Sequence, residues 1–470
     1  MSALDSFFVP RAVAVIGASA DPGKVGYAVL RNALYGSVAG PAERALGFDG
    51  AVFAINAKGA EILGQKSFKS VSEVPEAIDL AVVAIPPQHV AKVVEECGHR
   101  GIKGVVVITA GFSEIGPAGQ KLEREMVDAA KSNGVRIVGP NCLGVIAAEK
   151  RLNVSFAYET PPAGSISLLS QSGALCTALI SYAVEEHIGY RNFISMGDKC
   201  DVEDAEVIDY FAKDENTNCI ALYIEALKQP RAFYEAARRA TRTKPVVAIK
   251  VGRTAVGARA ASSHTGSIAG SDAAYQAAFR QAGVQRARTL AGFIDATRAL
   301  ASQPLPRGKR ICVLTNAGGP GVITADALCD LGLDLVKLSP ETIKKLNLLC
   351  PAAWSHGNPA DIVGDADAER YREALRLVSQ ADEVDGIVLL MTHQSMTRPM
   401  MIARAVVDVI PELKKPITAS FVCQGHEEAK NLLQQRGIPE FDFPERAAEA
   451  MAALCTRGEI VRRNREDGQP

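Results

Sequence analysis

The chain has 470 residues, of which 47% are hydrophobic and 22% are charged, a composition typical of about three globular domains. Its formal net charge of −1 provides no broad basic surface, which argues against nucleic acid or an anionic membrane as a partner. No run of roughly 18 apolar residues occurs, and residues 1–10 lack a basic start, so we expect neither a membrane span nor a processed leader.

The ten cysteines lie mostly inside apolar segments, and none forms a Cys-x-x-Cys pair. This distribution is typical of reduced thiols, because disulfides persist in oxidising compartments. We therefore expect a cytoplasmic protein.

The first third of the chain contains four short runs of β-branched and apolar residues. Continuous apolar strands are typical of a parallel sheet that helices cover on both faces. The runs are residues 12–16, 51–55, 80–85 and 104–109. We predict that residues 1–150 form a doubly wound α/β domain.

The same pattern recurs twice. A second series of strands, at 164–169, 219–224 and 246–249, ends before the Pro/Gly-containing link 303–308, and a third lies at 310–315, 333–336, 386–390 and 416–421. The predicted fold class is α/β, with three doubly wound parallel-sheet domains at 1–150, 151–303 and 304–460, followed by a polar tail at 461–470. Ligands of such domains bind at the carboxyl ends of the strands.

The loop after the first strand, Gly17 to Gly26, is similar to a dinucleotide-binding fingerprint. It has Ser19 in place of the second glycine, and the second strand ends at Asn56-Ala-Lys58 without an acidic residue for a ribose diol. A lysine at that position favours a ribose phosphate, as in NADP or coenzyme A. A purely structural glycine turn is the alternative.

Two later loops also place small residues where a helix begins. Ser172 and Gly173 lie in the first, and Gly319 and Gly321 in the second. Unpaired N–H groups at helix N-termini attract phosphate, and two such termini can share one anion. Either loop by itself is equally typical of an ordinary tight turn.

His264 stands in the small, hydroxyl-rich segment 260–272, which is typical of an exposed loop. No second metal ligand lies at suitable spacing, so the pattern favours a phosphorylated histidine over a metal site. A surface loop with an incidental histidine is the alternative.

Together and in this order, these motifs resemble the α subunit of the ADP-forming acyl-CoA synthetases, relatives of succinyl-CoA synthetase in the nucleoside-diphosphate-forming superfamily. The resemblance covers nearly the whole chain. It implies a Rossmann-like CoA-binding domain followed by two flavodoxin-like domains, the first with the phosphohistidine loop and the second of the ligase-CoA type. The motifs are Gly17-Ala-Ser19, Lys58, Ile85-Pro-Pro87, Ile108 to Glu114, Gly139 to Gly144, Ser170 to Ala174, Glu225, the His264 loop and Asn316 to Gly321.

The resemblance also assigns roles to residues. It places Asn141 near the thioester, makes His264 the phosphorylated residue, and makes Glu225 the carboxylate that orients the His264 ring; a surface carboxylate is the alternative reading of Glu225. The residues implied in coenzyme A binding are Gly17, Ser19 and Ala20 at its phosphates, Lys58 as a charged contact, and Pro86, Ile108, Thr109 and Ala110 as walls.

The implied reaction converts acyl-CoA, inorganic phosphate and ADP reversibly into acid, coenzyme A and ATP, through an acyl phosphate and phospho-His264. Catalysis of this kind depends on positioning and charge stabilisation. Cys142 stands beside the implied thioester position, but an apolar, unactivated cysteine is more typical of packing.

No glycine-rich ATP-grasp module follows residue 460. The resemblance therefore implies a separate ATP-grasp β subunit that holds ADP or ATP with Mg²⁺, in an α₂β₂ assembly. The third domain favours acetate, branched-chain or aryl acids over succinate. Two alternatives remain: a catalytically silent CoA-binding regulatory protein of the same fold, and an NADP-dependent reductase.

Overall fold

A computed structural model describes residues 3–257, 259, 271–422 and 425–466. The chain divides into two compact units, Met1–Val284 and Gln285–Pro470. Their mostly parallel sheets, covered by helices, confirm the predicted α/β fold class. Among the helices of the described residues, none is both long and apolar enough to cross a bilayer.

The first unit alternates strands and helices along most of its length. Its strands are β1 (Ala12–Ile16), β2 (Ala51–Ile55), β3 (Glu61–Ile62), β4 (Gln65–Lys66), β5 (Leu80–Val83), β6 (Gly104–Val107), β7 (Arg136–Val138), β8 (Gly144–Ala147), β9 (Leu152–Ser155), β10 (Ala163–Ser170), β11 (Tyr190–Ser195), β12 (Cys219–Ile224) and β13 (Val246–Lys250). Its helices are α1 (Asp5–Phe8), α2 (Val25–Tyr35), α3 (Val90–His99), α4 (Pro117–Asn133), α5 (Gly173–Glu185), α6 (Asp204–Lys213), α7 (Pro230–Thr243) and α8 (Asp272–Ala282).

The first sheet is parallel throughout, in the order β2-β1-β5-β6-β7. Strands β1, β5 and β6 are buried along their whole length, as their continuous apolar sequences predict. Sequence reasoning did not identify β7, which is only three residues long. The strand order changes direction between β1 and β5, the position at which doubly wound sheets bind ligands.

In the second sheet, six strands of this unit follow the order β13-β12-β10-β11-β8-β9. Strands β10 to β13 are parallel, whereas β8 runs antiparallel to β11 and to β9. The sequence pattern predicted only parallel strands here. The antiparallel pair differs because the chain from β7 enters this sheet through a short hairpin at its edge instead of a helical crossover.

Buried contacts fix the two sheets of this unit against each other. The Asn32 side chain on α2 donates hydrogen bonds to the carbonyls of Ser155 and Ala157, both at 2.8 Å. The ring of Phe8 on α1 stacks on Tyr210 of α6, with centroids 5.0 Å apart. One apolar core joins residues from both sheets, so their carboxyl ends are held in a defined arrangement.

The second unit contains a third parallel sheet in the order β16-β15-β18-β19, with β17 also paired to β15. The strands of this unit are β14 (Gln285–Ala287), which is not part of the third sheet, β15 (Arg310–Thr315), β16 (Asp334–Leu335), β17 (Ala360–Asp361), β18 (Gly386–Thr392) and β19 (Ile417–Val422). Its helices are α9 (Leu290–Ser302), α10 (Gly318–Asp330), α11 (Pro340–Leu349), α12 (Ala368–Gln380), α13 (Pro399–Val409), α14 (Glu427–Gln435) and α15 (Pro444–Glu466).

Candidate functional site

A cavity of about 1190 Å³ lies in the first unit, where the carboxyl ends of its two sheets meet. Loops that follow β5, β6 and β7 form one side, and loops that follow β10, β11 and β12 form the other. Ligand pockets are commonly about 300–1,000 Å³. This cavity therefore has room for a large ligand together with a small one.

On the side of the cavity that the loops of the first sheet form, five residues that the resemblance assigned to coenzyme A line the wall. They are Pro86, Ile108, Thr109, Ala110 and Asn141. Their loops are tied together, because the Thr109 hydroxyl donates to the Ile85 carbonyl at 2.7 Å and the Asn141 N–H donates to the Thr109 carbonyl at 3.0 Å. Asn141 has a φ of +56°. An asparagine tolerates this left-handed conformation better than most residues, which explains the residue type at this sharp turn.

On the side of the cavity that the loops of the second sheet form, the N-terminus of α5 lines the wall. The Ser172 hydroxyl accepts a hydrogen bond from the Leu175 N–H at 3.3 Å and caps the helix. A Cβ added to Gly173 would lie no closer than 3.6 Å to any neighbour, so packing does not require a glycine there. The helix therefore presents N–H groups and the positive end of its dipole to an open part of the cavity.

The residues of the loop after β1 that the resemblance assigned to coenzyme A do not line this cavity. Gly17, Ser19, Ala20 and Lys58 are not among the cavity-lining residues, although Val25, the first residue of α2, is. Gly17 has a φ of +93°, and a Cβ on it would lie 2.3 Å from the Ala84 carbonyl oxygen. Backbone packing thus accounts for this glycine.

The other residues of that loop are engaged locally. The Ser19 hydroxyl accepts the Asp21 N–H at 3.1 Å, and the Asn56 side chain donates to the Ala18 carbonyl at 2.8 Å while it accepts the Lys58 N–H at 2.9 Å. Lys58 is exposed. The asparagine that replaces an acidic residue after β2 therefore holds the loop in place, and the lysine side chain is accessible from solvent.

Glu225 follows β12, is 8% exposed and lines the cavity. Its position is fixed by Gln171, whose side-chain oxygen accepts the N–H groups of Glu225 and Ala226, both at 2.9 Å. The Gln171 amide donates to Asp204 at 3.0 Å. Lys199, which is 6% exposed, donates to Asp204 at 2.7 Å and to the Ala226 carbonyl at 2.9 Å.

Sequence reasoning missed Gln171, Asp198 and Lys199 as members of this site. Gln171 lay within a recognised motif, but its role depends on residues more than thirty positions away. Asp198 and Lys199 follow β11, a strand that the sequence analysis did not identify. The available signal was the short run Phe193-Ile-Ser-Met196 before Gly197-Asp198-Lys199, which is typical of a strand that ends in a polar loop.

Cys142 lines the cavity but is buried, and its thiol lies 3.3 Å from the Val107 carbonyl. Burial raises the pKa of this thiol well above its ordinary value. The thiolate is the nucleophilic form of cysteine, so the structure favours the packing role expected from the sequence.

Three predicted site residues lie elsewhere. His264 falls outside the described residues. Gly319 and Gly321 stand in the first turn of α10, in the second unit. A Cβ on Gly319 would meet nothing within 4 Å, whereas one on Gly321 would lie 3.2 Å from the Thr315 methyl group. Within the described ranges, no group of three or more His, Cys, Asp or Glu side chains is arranged to hold a metal ion.

Comparisons with known proteins match nearly the whole chain. Three family models match in order: a CoA binding domain at 11–148, a succinyl-CoA ligase like flavodoxin domain at 163–300 and a ligase-CoA domain at 311–464. The α subunit of acetate–CoA ligase (ADP-forming) II from Pyrococcus furiosus is 40% identical over 465 residues, covering 97% of this chain and 98% of that protein.

Two further relatives extend the comparison. Acetate–CoA ligase (ADP-forming) I of Archaeoglobus fulgidus is 39% identical over 462 residues, which are 98% of this chain but 65% of that longer protein. The solved structure of a dinucleotide-forming acetyl-coenzyme A synthetase 1 from Ca. Korarchaeum cryptofilum, in complex with phosphate and ADP, is similar with a TM-score of 0.91 and 39% identity, covering 98% of both chains.

Proposed function

Because the chain belongs to the family of ADP-forming acetate–CoA ligase α subunits, we propose that it is the acyl-transferring subunit of an ADP-forming acyl-CoA synthetase. The reaction converts acyl-CoA, phosphate and ADP reversibly into a free acid, coenzyme A and ATP. The observation that carries this proposal is the single cavity that Asn141, the N-terminus of α5 and Glu225 share.

In the acyl-transfer step, phosphate binds at the N-terminus of α5. The N–H groups near Ser172 and Gly173 stabilise its charge, because they are oriented before the ligand arrives. Coenzyme A lies against Pro86 and the segment 108–110, which brings its thioester close to Asn141. Phosphate attacks the acyl carbon, and the products are acyl phosphate and coenzyme A. Lys58, accessible from solvent, is available for the ribose phosphate, and Gly17, Ser19 and Ala20 shape the loop that precedes α2.

In the phosphoryl-transfer step, His264 takes the phosphoryl group from the acyl phosphate and the acid leaves. Glu225 accepts a hydrogen bond from one ring nitrogen, which leaves the other nitrogen nucleophilic. Support for this role comes from the burial of Glu225 at the cavity wall and from the hydrogen bonds that fix its backbone. In the second unit, Gly319 and Gly321 in the first turn of α10 are proposed as phosphate-binding residues through their backbone N–H groups.

We assign the transfer of the phosphoryl group to ADP to a partner subunit. The relative from Pyrococcus furiosus is named as a subunit, and the Archaeoglobus fulgidus relative has about a third of its length beyond the part that this chain matches. We assign that third of the relative to an ATP-grasp module, and we propose that a β subunit of this type binds ADP with Mg²⁺ and accepts the phosphoryl group, in an α₂β₂ complex. The cytoplasm, which is rich in coenzyme A and adenine nucleotides, is the expected location.

The proposal is tested by incubating the full chain, alone and with its partner subunit, with radiolabelled phosphate and a panel of acetyl, branched-chain and aryl thioesters. Acid-labile, base-stable label is expected at His264 with at least one thioester. His264→Ala should abolish the label while coenzyme A still binds, whereas His99→Ala, an exposed histidine at the end of α3, should label normally. Labelling of the His264→Ala variant, or no label with any thioester in the presence of the partner, would contradict the proposal.

A further inference from the structure

Asp198 is held at the cavity wall next to Asn141. The Asp198 N–H donates to the Pro140 carbonyl at 2.9 Å, and the Asn141 side-chain amide lies 3.5 Å from Asp198 Oδ1. Gly197 allows this close approach, because its φ is +53° and a Cβ would lie 2.1 Å from the Pro140 oxygen. The turn after β11 and the turn after β7 are thus packed backbone to backbone, so the Asp198 carboxyl group has a defined position.

A second carboxyl group, that of Glu114, lies near Asp198. Asp198 Oδ2 is buried, and within the described part of the chain no hydrogen-bond donor reaches it. The Glu114 carboxyl group is close enough to raise the pKa of Asp198. The Glu114 oxygens accept the N–H groups of Gly111 at 2.5 Å and Phe112 at 2.9 Å. Two carboxyl groups in contact are stable when they share a proton. Because Glu114 is already satisfied by two backbone donors, the proton resides on Asp198.

The surroundings set the proton affinity of Asp198. Burial, followed by the charge of Glu114 and the hydrogen bond with it, raises the pKa of Asp198 to about 7, with Glu123 adding to the effect and Asn141 opposing it. The two cavity lysines are directed elsewhere: Lys199 donates to Asp204 and Ala226, and Lys228 donates to the Lys199 carbonyl at 2.9 Å.

We propose that Asp198 transfers the proton in the acyl-transfer step, with Glu114 as the residue that positions it, an inference that rests on the function proposed above. A phosphate oxygen attacks the acyl carbon, the new C–O bond forms, the C–S bond breaks, and its electron pair stays on sulfur. Asp198 gives its proton to that sulfur and then recovers a proton from the phosphate hydroxyl. The net change moves one proton from monohydrogen phosphate to the thiol, so charge and atoms balance.

The proton transfer from Asp198 is needed because the cavity is a poor environment for a thiolate. A thiolate that forms in a partly buried site pays a desolvation cost that protonation removes. A group that is half protonated near neutral pH can both give and take a proton at useful rates, which is typical of general acid–base catalysts. In the reverse reaction, the Asp198 carboxylate takes the proton of the coenzyme A thiol.

The experiment follows release of coenzyme A from a thioester when arsenate replaces phosphate, because the acyl arsenate hydrolyses and isolates this step from His264 and ADP. Asp198→Asn preserves the side-chain shape but carries no transferable carboxyl proton. At pH 6 it should lower the rate by about 10²–10⁴-fold, with little change in coenzyme A affinity. The ratio of wild-type to variant rates, in which the ionisation of arsenate cancels, should fall as pH rises through about 7.

Two further variants complete the test. Glu114→Gln removes the neighbouring charge, so the midpoint of this pH dependence should move to lower pH. Asp209→Asn, which changes a partly exposed carboxylate that pairs with Arg239 and does not line the cavity, should behave as wild type. A pH-independent ratio, full activity in Asp198→Asn or an equal loss in Asp209→Asn would overturn the assignment. Failure of the wild-type chain with every thioester, in the presence of its partner subunit, would instead refute the proposed function itself.

Discussion

Two glycines in or next to the cavity, Gly26 and Gly173, are present for different reasons. Gly26 on α2 allows close helix packing, because a Cβ there would lie 1.9 Å from the Gly17 carbonyl oxygen. Gly173 on α5 has room for a side chain and an ordinary helical backbone. The first glycine serves the fold, whereas the second leaves space in the cavity where we place phosphate.

Substitution of each glycine by alanine should therefore have different effects on stability and on the KM for phosphate. Gly173→Ala should leave stability unchanged or raise it by up to about 1 kcal/mol, because alanine favours a helix. It should raise the KM for phosphate at least tenfold if it removes one charged hydrogen bond worth about 1.5–3 kcal/mol. Gly26→Ala should cost about 1–3 kcal/mol of stability. Urea unfolding and steady-state kinetics measure both effects, and an unchanged KM in Gly173→Ala would place phosphate elsewhere.

At the scale of elements, a buried ion pair connects the turn after β11 to the start of α6. Lys199 and Asp204 are 6% and 2% exposed, and Gln171 joins them to the backbone of Glu225. The helix has its own cap, since Glu203 and Glu206 form a capping box. Asp204 is therefore free to hold the cavity loops together.

Asp204→Asn should destabilise the chain by about 3–5 kcal/mol, because it leaves the Lys199 ammonium buried without its carboxylate. The matched change Asp209→Asn, at a partly exposed position of the same helix, should cost less than about 1 kcal/mol. Urea unfolding followed by far-ultraviolet circular dichroism compares the two. Similar midpoints for both variants would show that the pair contributes little.

The strands missed from sequence illustrate a general difficulty at this scale. β8 and β9 are four residues each, and β8 pairs with β11, a strand more than forty positions later. A short strand carries too few residues to reveal a period, and its stability comes from a distant partner. Longer buried strands such as β1 and β12 were predicted to the residue.

At the scale of the whole molecule, the second unit carries a pH-sensitive group of its own. Glu440 is 2% exposed and accepts the Phe421 N–H at 2.9 Å. Burial raises the pKa of Glu440 to about 7, although the Phe421 hydrogen bond opposes the shift. Between about pH 4.5 and 7, Glu440 is therefore protonated in the folded unit but ionised in the unfolded chain. The stability of this unit falls as pH rises through this window.

Glu440→Gln should stabilise the second unit at pH 8 by up to about 3 kcal/mol, because it removes the cost of burying the charge and keeps the Phe421 hydrogen bond. The gain should disappear below about pH 4.5, where both forms of Glu440 are protonated. Trp354, the only tryptophan, is buried in the same unit, so its fluorescence in urea measures the effect. Glu412→Gln, at an exposed carboxylate paired with Arg376, should give no gain at pH 8.

Family membership argues against one of the two alternatives that the sequence left open, since three matching family models in order favour the ligase over an NADP-dependent reductase. The sequence by itself determined the α/β class, the long buried strands and the motif order, because each is encoded in local periodicity and spacing. Only the tertiary structure decided which residues share the cavity. Gln171, Glu225, Lys199 and Asp204 are brought together by parallel strands whose carboxyl ends meet at one edge, and Asp198 is held beside Asn141 by a packed pair of turns. Such contacts join residues far apart in the chain, and their energies depend on burial that no local pattern records.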